Sequence, residues 1–241
     1  MRFASFRVLA LASLASLAMA TASSAVTILQ FGQTNPNDVV TATVAGSVTT
    51  LTTNSAAAGS IPILITNIGG VQLGTPLAAF ETFIGVTSTG TATSAGGTIS
   101  EMFSGTIAIT SGANNTGGNI LTTVFSGATL SGLAGGGSAA LVGSRPPQNV
   151  VFTSNLAAIV PLIAGNPPEN FAISFSGINT PPGLSLSGTT IAGFTARNTG
   201  TFDTGTPTAV IPEPSGIVMA GTAMIASLGC FGWRRRQSSR A

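Results

Sequence analysis

Carboxylates are the only side chains of this chain that could carry out acid–base chemistry. The sequence contains no histidine, tyrosine or lysine, and its one cysteine, Cys230, lies near the C-terminus. This composition excludes Ser-His-Asp and Cys-His nucleophiles, histidine-bound metals and lysine Schiff bases. A glycosidase requires two carboxyl groups that face one another, and Glu81 and Glu101, on neighbouring predicted strands, form the best available pair.

The preferred interpretation of these two acids is structural. Residues 26–210 contain only five acids, and these do not cluster along the chain. Charged side chains without a partner normally stay on the side of a strand that faces solvent. We therefore expect Glu81 and Glu101 to be solvent-facing residues of amphipathic strands, and we expect the protein not to be an enzyme.

A turn near the N-terminus contains a further set of candidate ligands. The oxygen atoms of Asn35, Asn37 and Asp38 could bind Ca²⁺, and Asp203 could add another carboxylate. The spacing lacks the repeated acids of a calcium loop, whereas Pro36 fits a turn position directly. The sequence therefore predicts a turn here and no cofactor.

The elements that would position these residues are predicted to be β-strands. In residues 171–176 and 106–110, apolar and small polar residues alternate with a period of two, which is typical of half-buried strands. Segments rich in Gly, Pro and Asn separate the strands, which favours an antiparallel β-sandwich. Only residues 156–163, which contain Pro161, could form a short helix instead of a strand. Further strands are predicted at residues 26–31, 39–44, 48–52, 61–65, 80–87, 99–103, 120–125, 150–153 and 189–196.

Composition divides the chain into four parts. Arg2 and Arg7 precede an apolar run and then small residues up to Ala25, which is the pattern of a signal peptide cleaved after that residue. A segment rich in Thr, Gly and Pro near the other end is typical of a stalk. The predicted parts are a signal peptide at 1–25, a β-rich passenger domain at 26–198, a stalk at 199–210 and a C-terminal signal at 211–241.

The C-terminal segment combines three features in a fixed order. It begins with Pro212, Glu213 and Pro214, whose prolines cannot lie inside a regular helix and keep the chain extended. Residues 216–233 carry neither charge nor proline, and a helix of that length spans roughly 27 Å, close to the thickness of a bilayer core. The basic cluster that follows is retained on the cytoplasmic side, so everything before the helix is predicted to lie outside. This cluster consists of Arg234, Arg235 and Arg236.

This order of features resembles the PEP-CTERM sorting signal of Gram-negative bacteria. Pro212, Glu213 and Pro214 match the motif of that family, residues 216–233 its transmembrane helix and the three arginines its basic end. The resemblance implies that an exosortase, a membrane-embedded cysteine protease, recognises the motif, often alongside exopolysaccharide production. The precursor would be anchored in the membrane, and the processed protein would lie at the cell surface or outside the cell. The resemblance covers about an eighth of the chain and implies nothing about the activity of the passenger.

The charge distribution narrows the function of the passenger. Residues 26–210 contain Arg145 and Arg197, no lysine and five acids, which leaves a formal charge of −3. A nucleic-acid partner would need clustered basic residues, so this class of function is excluded. We expect an exported structural or interaction protein. The alternative is an exopolysaccharide-binding module, although the passenger lacks the Trp and Tyr on which sugars usually stack, and a glycosidase using Glu81 and Glu101 ranks third.

Overall fold

The fold is mainly β and antiparallel. A computed structural model describes residues 25–55, 59–164, 167–179 and 183–205, all of which belong to one compact unit, Ala25–Thr206. Every strand pair among these residues is antiparallel. The predicted mainly β, antiparallel, sandwich-like passenger is therefore confirmed.

The described residues contain fourteen strands and one helical turn. The longest strands, β5 and β8, have 18 residues each, which is enough to pair with different neighbours at their two ends. The helical turn is α1 (Val160–Ile163), which begins next to Pro161. The strands are β1 (Val26–Gln33), β2 (Val39–Ala45), β3 (Val48–Asn54), β4 (Ile61–Ile68), β5 (Val71–Ser88), β6 (Thr93–Ala95), β7 (Thr98–Gly112), β8 (Thr116–Leu133), β9 (Ser138–Ser144), β10 (Asn149–Thr153), β11 (Glu169–Ser176), β12 (Leu186–Ser187), β13 (Thr190–Ile191) and β14 (Phe194–Thr204).

The hydrogen-bonded strands form a closed circuit. From β5 the pairing runs through β7, β8, β9 and β11 to β14. Two routes then lead from β14 back to β5: residues 199–204 of β14 pair with β1, which continues through β4, and residues 194–196 pair with β2, which continues through β3. Strands β12 and β13 pair only with each other and form a separate two-stranded hairpin.

The two routes separate at one place, which we call the split. On β14, Arg197 and Asn198 pair with neither β1 nor β2. On β5, Glu81 is the last residue paired with β4, and pairing with β3 begins only at Val86. The split therefore leaves short stretches of β5 and β14 without a strand neighbour on the edge that faces it.

The core consists of the inward-facing residues of the alternating strands. In β11, Phe171, Ile173 and Phe175 are at most 2% exposed, as the period of two predicts. Phe171 packs against Phe202 of β14, with ring centroids 6.2 Å apart, and against Phe125 of β8, with centroids 5.0 Å apart. Removing apolar surface from water stabilises the fold by roughly 25 cal/mol per Å², so these large rings are a major source of that stability.

Several predicted element boundaries are wrong. The strand predicted at 80–87 is the C-terminal part of the longer strand β5, and the strand predicted at 120–125 is the central part of β8. The strand predicted at 189–196 is interrupted and belongs to both β13 and β14. Strand β9 was not predicted, because its sequence is mostly Ser, Ala and Gly and offers little contrast between its two sides. In residues 156–163, the short helix α1 forms rather than a strand.

The predicted domain boundary at 198 needs a correction. Strand β14 continues through Thr199 to Thr204, and Phe202 within this stretch is completely buried. The first six residues of the predicted stalk at 199–210 are therefore part of the β unit. Residues 1–24 of the predicted signal peptide, residues 206–210 of the predicted stalk and the predicted C-terminal signal at 211–241 lie outside the described residues. In the described part of the chain, no helix is both long and apolar enough to cross a membrane.

Candidate functional site

The two acids proposed as a catalytic pair lie in the core. Glu81 is 0% and Glu101 1% exposed, so the prediction that both face solvent is wrong. The physical reason is visible in the strand pattern: Glu81 shares the inward face with Phe83, and Glu101 lies between the inward residues Ile99 and Phe103. The alternation that identified the strands could have revealed this burial.

The structure does not bring these acids together. They do lie on the neighbouring strands β5 and β7, but Glu81 pairs with Ile109, which is eight residues beyond Glu101. Eight residues correspond to roughly 26 Å along an extended strand, whereas a glycosidase pair is separated by about 5 to 10 Å. The pairing register therefore contradicts a glycosidase built on these two residues.

Glu101 connects the β7 strand with two other elements. Its Oε2 atom accepts hydrogen bonds from the Thr49 hydroxyl of β3, at 3.1 Å, and from the Ile191 backbone amide of β13, at 3.0 Å. The Thr49 hydroxyl also lies 3.2 Å from the Ile191 carbonyl oxygen. This arrangement holds the β12–β13 hairpin against the circuit.

A third buried glutamate, Glu169, was not singled out from the sequence. It is 1% exposed, and its Oε2 atom accepts a hydrogen bond of 3.0 Å from the Phe152 backbone amide of β10. Burial raises the pKa of the Glu169 carboxyl, while the Phe152 amide and the charge of Arg145 oppose the shift. Glu169 is the first residue of β11, and nothing in the sequence at this position indicates that its side chain is buried and binds the Phe152 amide.

The split contains a cluster of polar side chains that replace missing strand partners. The Asn198 backbone amide donates to Oε1 of Gln33 at 3.1 Å, and the Phe83 backbone amide donates to the Thr53 hydroxyl at 3.3 Å. The Asn198 side-chain amide donates to Oε2 of Glu81, which connects β14 to β5 across the split. Buried backbone amides need such partners, so the cluster compensates for the absent strand pairing.

The environment of Glu81 is unfavourable for a charge. Burial raises the pKa of its carboxyl to about 8, and the hydrogen bond from Asn198 opposes the shift. The remaining oxygen atoms of this pair, Glu81 Oε1 and Asn198 Oδ1, are buried and have no hydrogen-bond partner.

A polar cleft of about 290 Å³ lies next to the split. It is lined by Gln33, Thr34, Asn35, Pro36 and the exposed Arg197. The Nε2 atom of Gln33 donates to the Asn35 carbonyl oxygen at 2.5 Å, so this side chain connects the lining of the cleft to the split.

The turn predicted at Asn35–Asp38 is present. The Asn35 side-chain oxygen accepts a hydrogen bond of 3.1 Å from the Asn37 backbone amide, and the Asp38 amide donates to the Asn35 carbonyl oxygen. Asp203 lies on β14 opposite Thr27, where burial raises the pKa of its carboxyl and a hydrogen bond with Thr27 opposes the shift. Among the described residues, no group of three or more acids, histidines or cysteines could hold a metal ion.

The outer face of the sheet carries two parallel rows of uncharged side chains. The first, which we call the hydroxyl row, crosses six strands whose neighbours lie about 4.8 Å apart, so it extends over about 24 Å. The second, the aliphatic row, includes Ile84 and Val124, which are 42% and 50% exposed. The hydroxyl row consists of Thr43, Thr50, Thr87, Ser104 and Ser126 and ends at the amide side chain of Asn149. The aliphatic row consists of Ile84, Val124 and Val151, with Thr106 between Ile84 and Val124.

The sorting residues predicted from the sequence lie outside the part of the chain that the structure describes. They are Pro212, Glu213, Pro214, Arg234, Arg235 and Arg236. A scan against protein-family models, a search of curated proteins and a search of solved structures each find no match to this chain.

Proposed function

We propose that this chain is an exported structural or interaction protein of the cell surface or extracellular matrix, delivered by an exosortase-type membrane peptidase. The observation that carries the proposal is the order of Pro212-Glu213-Pro214, an uncharged helix-length segment and three arginines shortly after the last strand of the β unit. The resemblance of this order to a sorting signal supports a membrane-anchored precursor and a processed product outside the cell.

An interaction role is supported by the distribution of charge in the β unit. The described residues include seven ionisable side chains, and four of these, Asp38, Glu81, Glu101 and Glu169, are buried. The hydroxyl and aliphatic rows therefore form a broad uncharged surface. Such a surface suits contacts with neutral matrix components, and we assign the β unit no reaction.

Binding of exopolysaccharide is the second candidate function, and the hydroxyl row favours it. Each hydroxyl can both donate and accept hydrogen bonds, which matches the hydrogen-bonding groups of a sugar chain. The adjacent aliphatic row offers apolar contact for the less polar faces of sugar rings, in place of the missing Trp and Tyr.

The sorting proposal is tested by expressing three variants in a host that contains an exosortase-type peptidase. Glu213→Ala should leave membrane insertion intact and block processing. Replacement of Arg234, Arg235 and Arg236 by alanine should weaken retention, because the weakly apolar helix then lacks its cytoplasmic charges. Arg240→Ala is the matched control and should behave like wild type.

Intact mass and cell fractionation provide the measurements for these variants. The mature wild-type product should lack the three arginines at 234–236. The sorting proposal is wrong if the mature product keeps this arginine cluster, or if Glu213→Ala is processed at the wild-type rate. Either outcome would make the segment an ordinary C-terminal membrane anchor.

A further inference from the structure

Two polar side chains meet inside the core where the strand circuit splits. Glu81 on β5 is 0% exposed and Asn198 on β14 is 1% exposed. These two strands do not pair with each other, so the hydrogen bond from the Asn198 side-chain amide to Oε2 of Glu81 is a direct connection between them. Its position between the two routes makes it a candidate for controlling how tightly the split closes.

The unpartnered atoms of this pair indicate the protonation state of Glu81. Glu81 Oε1 and Asn198 Oδ1 are both buried, and neither has a hydrogen-bond partner when both are acceptors. An ionised Glu81 would leave two buried oxygen atoms without a donor, which is costly. A proton on Oε1 supplies the donor that Asn198 Oδ1 lacks, since in a mutual pair a carboxylic acid and a primary amide each contribute one donor and one acceptor.

We propose that Glu81 is a neutral carboxylic acid in the folded protein, that it forms a two-way hydrogen-bonded pair with Asn198, and that loss of its proton opens the split. In this acid–amide pair, the amide N–H donates to Oε2 and the carboxyl O–H donates to the amide oxygen. When the O–H bond breaks, its proton passes to bulk water or hydroxide. The carboxylate that remains faces the Asn198 oxygen without a donor between them.

Within the described ranges, no neighbouring cation explains the burial of Glu81. Strands β1, β2, β3 and β4 contain no ionisable side chain. On β7 the only acid is Glu101, eight residues before the partner of Glu81, and the nearby loop carries the buried Asp38. On β14, Arg197 is exposed next to Asn198, and Asp203 lies further along the strand opposite Thr27. The raised pKa of Glu81, about 8, is caused by burial, with only the Asn198 hydrogen bond opposing it.

The acid–amide pair also connects to the polar cleft. The Asn198 backbone amide donates to Gln33 Oε1, and Gln33 Nε2 donates to the carbonyl oxygens of Asn35 and Asp38. A displacement of Asn198 would therefore be transmitted to the loop that lines the cleft. Deprotonation of Glu81 should loosen the cleft together with the split.

The decisive variant is Glu81→Gln, measured in the full-length chain in detergent micelles by urea denaturation across a range of pH. The folded pKa of Glu81 is raised from 4.5 to about 8. The contribution of the acid–amide pair to the free energy of unfolding is therefore fully present below pH 4.5 and is lost as the pH rises to about 8. The wild-type unfolding constant should rise up to about tenfold per pH unit in this window and then level off. Glutamine reproduces both hydrogen bonds without a proton to lose, so Glu81→Gln should lack the part of this fall that Glu81 causes and exceed wild type in stability at alkaline pH. Only the fall caused by Glu169 and Asp203, whose pKa values burial also raises, should remain in this variant.

Glu101→Gln is the matched control, since it also replaces a buried glutamate by its amide but leaves the acid–amide pair intact. It should retain the wild-type fall in stability that Glu81 causes. A second measurement does not depend on how the variants fold: in the wild-type protein labelled with ¹³C at glutamate side chains, the Glu81 carboxyl carbon should report a protonated acid at neutral pH. The Gln33 side-chain amide resonances should shift with the same midpoint as Glu81.

Two outcomes would overturn the proposal. In the first, the ¹³C signal shows an ionised Glu81 at neutral pH, and Glu81→Gln, if it folds, is less stable than wild type at every pH. In the second, added Ca²⁺ or Na⁺ stabilises wild type but not Glu81→Gln, which would assign the two unpartnered oxygens to a cation rather than to a proton. If Glu81→Gln does not fold, the ¹³C titration of wild type decides alone.

Discussion

At the scale of single residues, the buried glutamates connect elements that the strand pairing leaves apart. Glu81 receives a hydrogen bond from the Asn198 side chain of β14, Glu101 from the Ile191 amide of β13, and Glu169 from the Phe152 amide of β10. In each case an N–H group that would otherwise be buried without a partner finds an acceptor. The three buried glutamates therefore act as structural connections between these elements.

The connection made by Glu101 can be tested by truncation. Glu101→Ala removes the acceptor of the Ile191 amide and of one Thr49 hydroxyl contact, and it leaves a cavity in the core. We expect a loss of about 3 kcal/mol in the free energy of unfolding. Ser126→Ala, on the exposed outer face, should change this free energy by less than about 0.5 kcal/mol. Urea denaturation of both variants provides the comparison, and an equal stability of the two would show that the Glu101 contacts contribute little.

Gly143 provides a second test at this scale, because its lack of a side chain makes room for an aromatic ring. A Cβ atom at Gly143 would overlap the Phe171 ring, whereas a Cβ at Gly32 in β1 would meet no atom within 4 Å. Gly143→Ala should therefore lower the free energy of unfolding by roughly 1 to 3 kcal/mol, and Gly32→Ala should be neutral or slightly stabilising. The prediction fails if the two variants have the same urea midpoint.

At the scale of elements, irregular strands explain why the sequence predicted only parts of them. In β8, Phe125 and Ala128 both face inward, because a β-bulge near Gly127 shifts the alternation by one residue. A prediction based on a strict period of two therefore ends the strand at Phe125, although the strand continues to Leu133. At the start of β5, residues 71–78 are exposed apart from the half-buried Leu73, so this part of the strand lacks the alternation of buried and exposed residues on which the prediction relies.

The candidate site was less predictable than the strands for a related reason. The alternation of apolar and polar residues in β5 and β7 indicates that Glu81 and Glu101 face inward. The prediction gave more weight to the general preference of acids for solvent, and it was therefore wrong. The partner of Glu81 could not be inferred, because Asn198 lies 117 residues away and is brought close only by the closure of the circuit. The hydroxyl row likewise depends on the registers of five strand pairs, which no short sequence window contains.

The hydroxyl row can be tested as a binding surface by one substitution at its exposed residue Ser126. Ser126→Lys places a long charged side chain between Ser104 and Asn149 and should weaken binding to exopolysaccharide prepared from the producing cells by about tenfold, or about 1.4 kcal/mol. Ser174→Lys on β11 makes the same change at another exposed position. Co-sedimentation with the insoluble polysaccharide provides the measurement. Equal binding by the two variants would exclude the hydroxyl row as the binding surface.

At the scale of the whole molecule, the first and last strands close the fold together. Strand β1 pairs with β14 from Val26 and Thr204 at one end to Gly32 and Thr199 at the other. Nearly the entire β unit separates these partners in sequence, so the circuit cannot close until the last strand is available. Closure of the circuit by the last strand suits a protein that completes its folding after export, as the proposed sorting route requires.

The position of the C-terminal boundary follows from the same pairing. A chain that ends at residue 198 loses residues 199–204, which pair with both β1 and β11 and include the buried Phe202. A chain that ends at residue 206 retains the whole of β14. The shorter chain should therefore lack cooperative urea unfolding and be digested rapidly by protease, whereas the longer chain should unfold in one transition. Both measurements compare two chains that differ by only eight residues, and cooperative unfolding of the shorter chain would restore the stalk to its predicted start at residue 199.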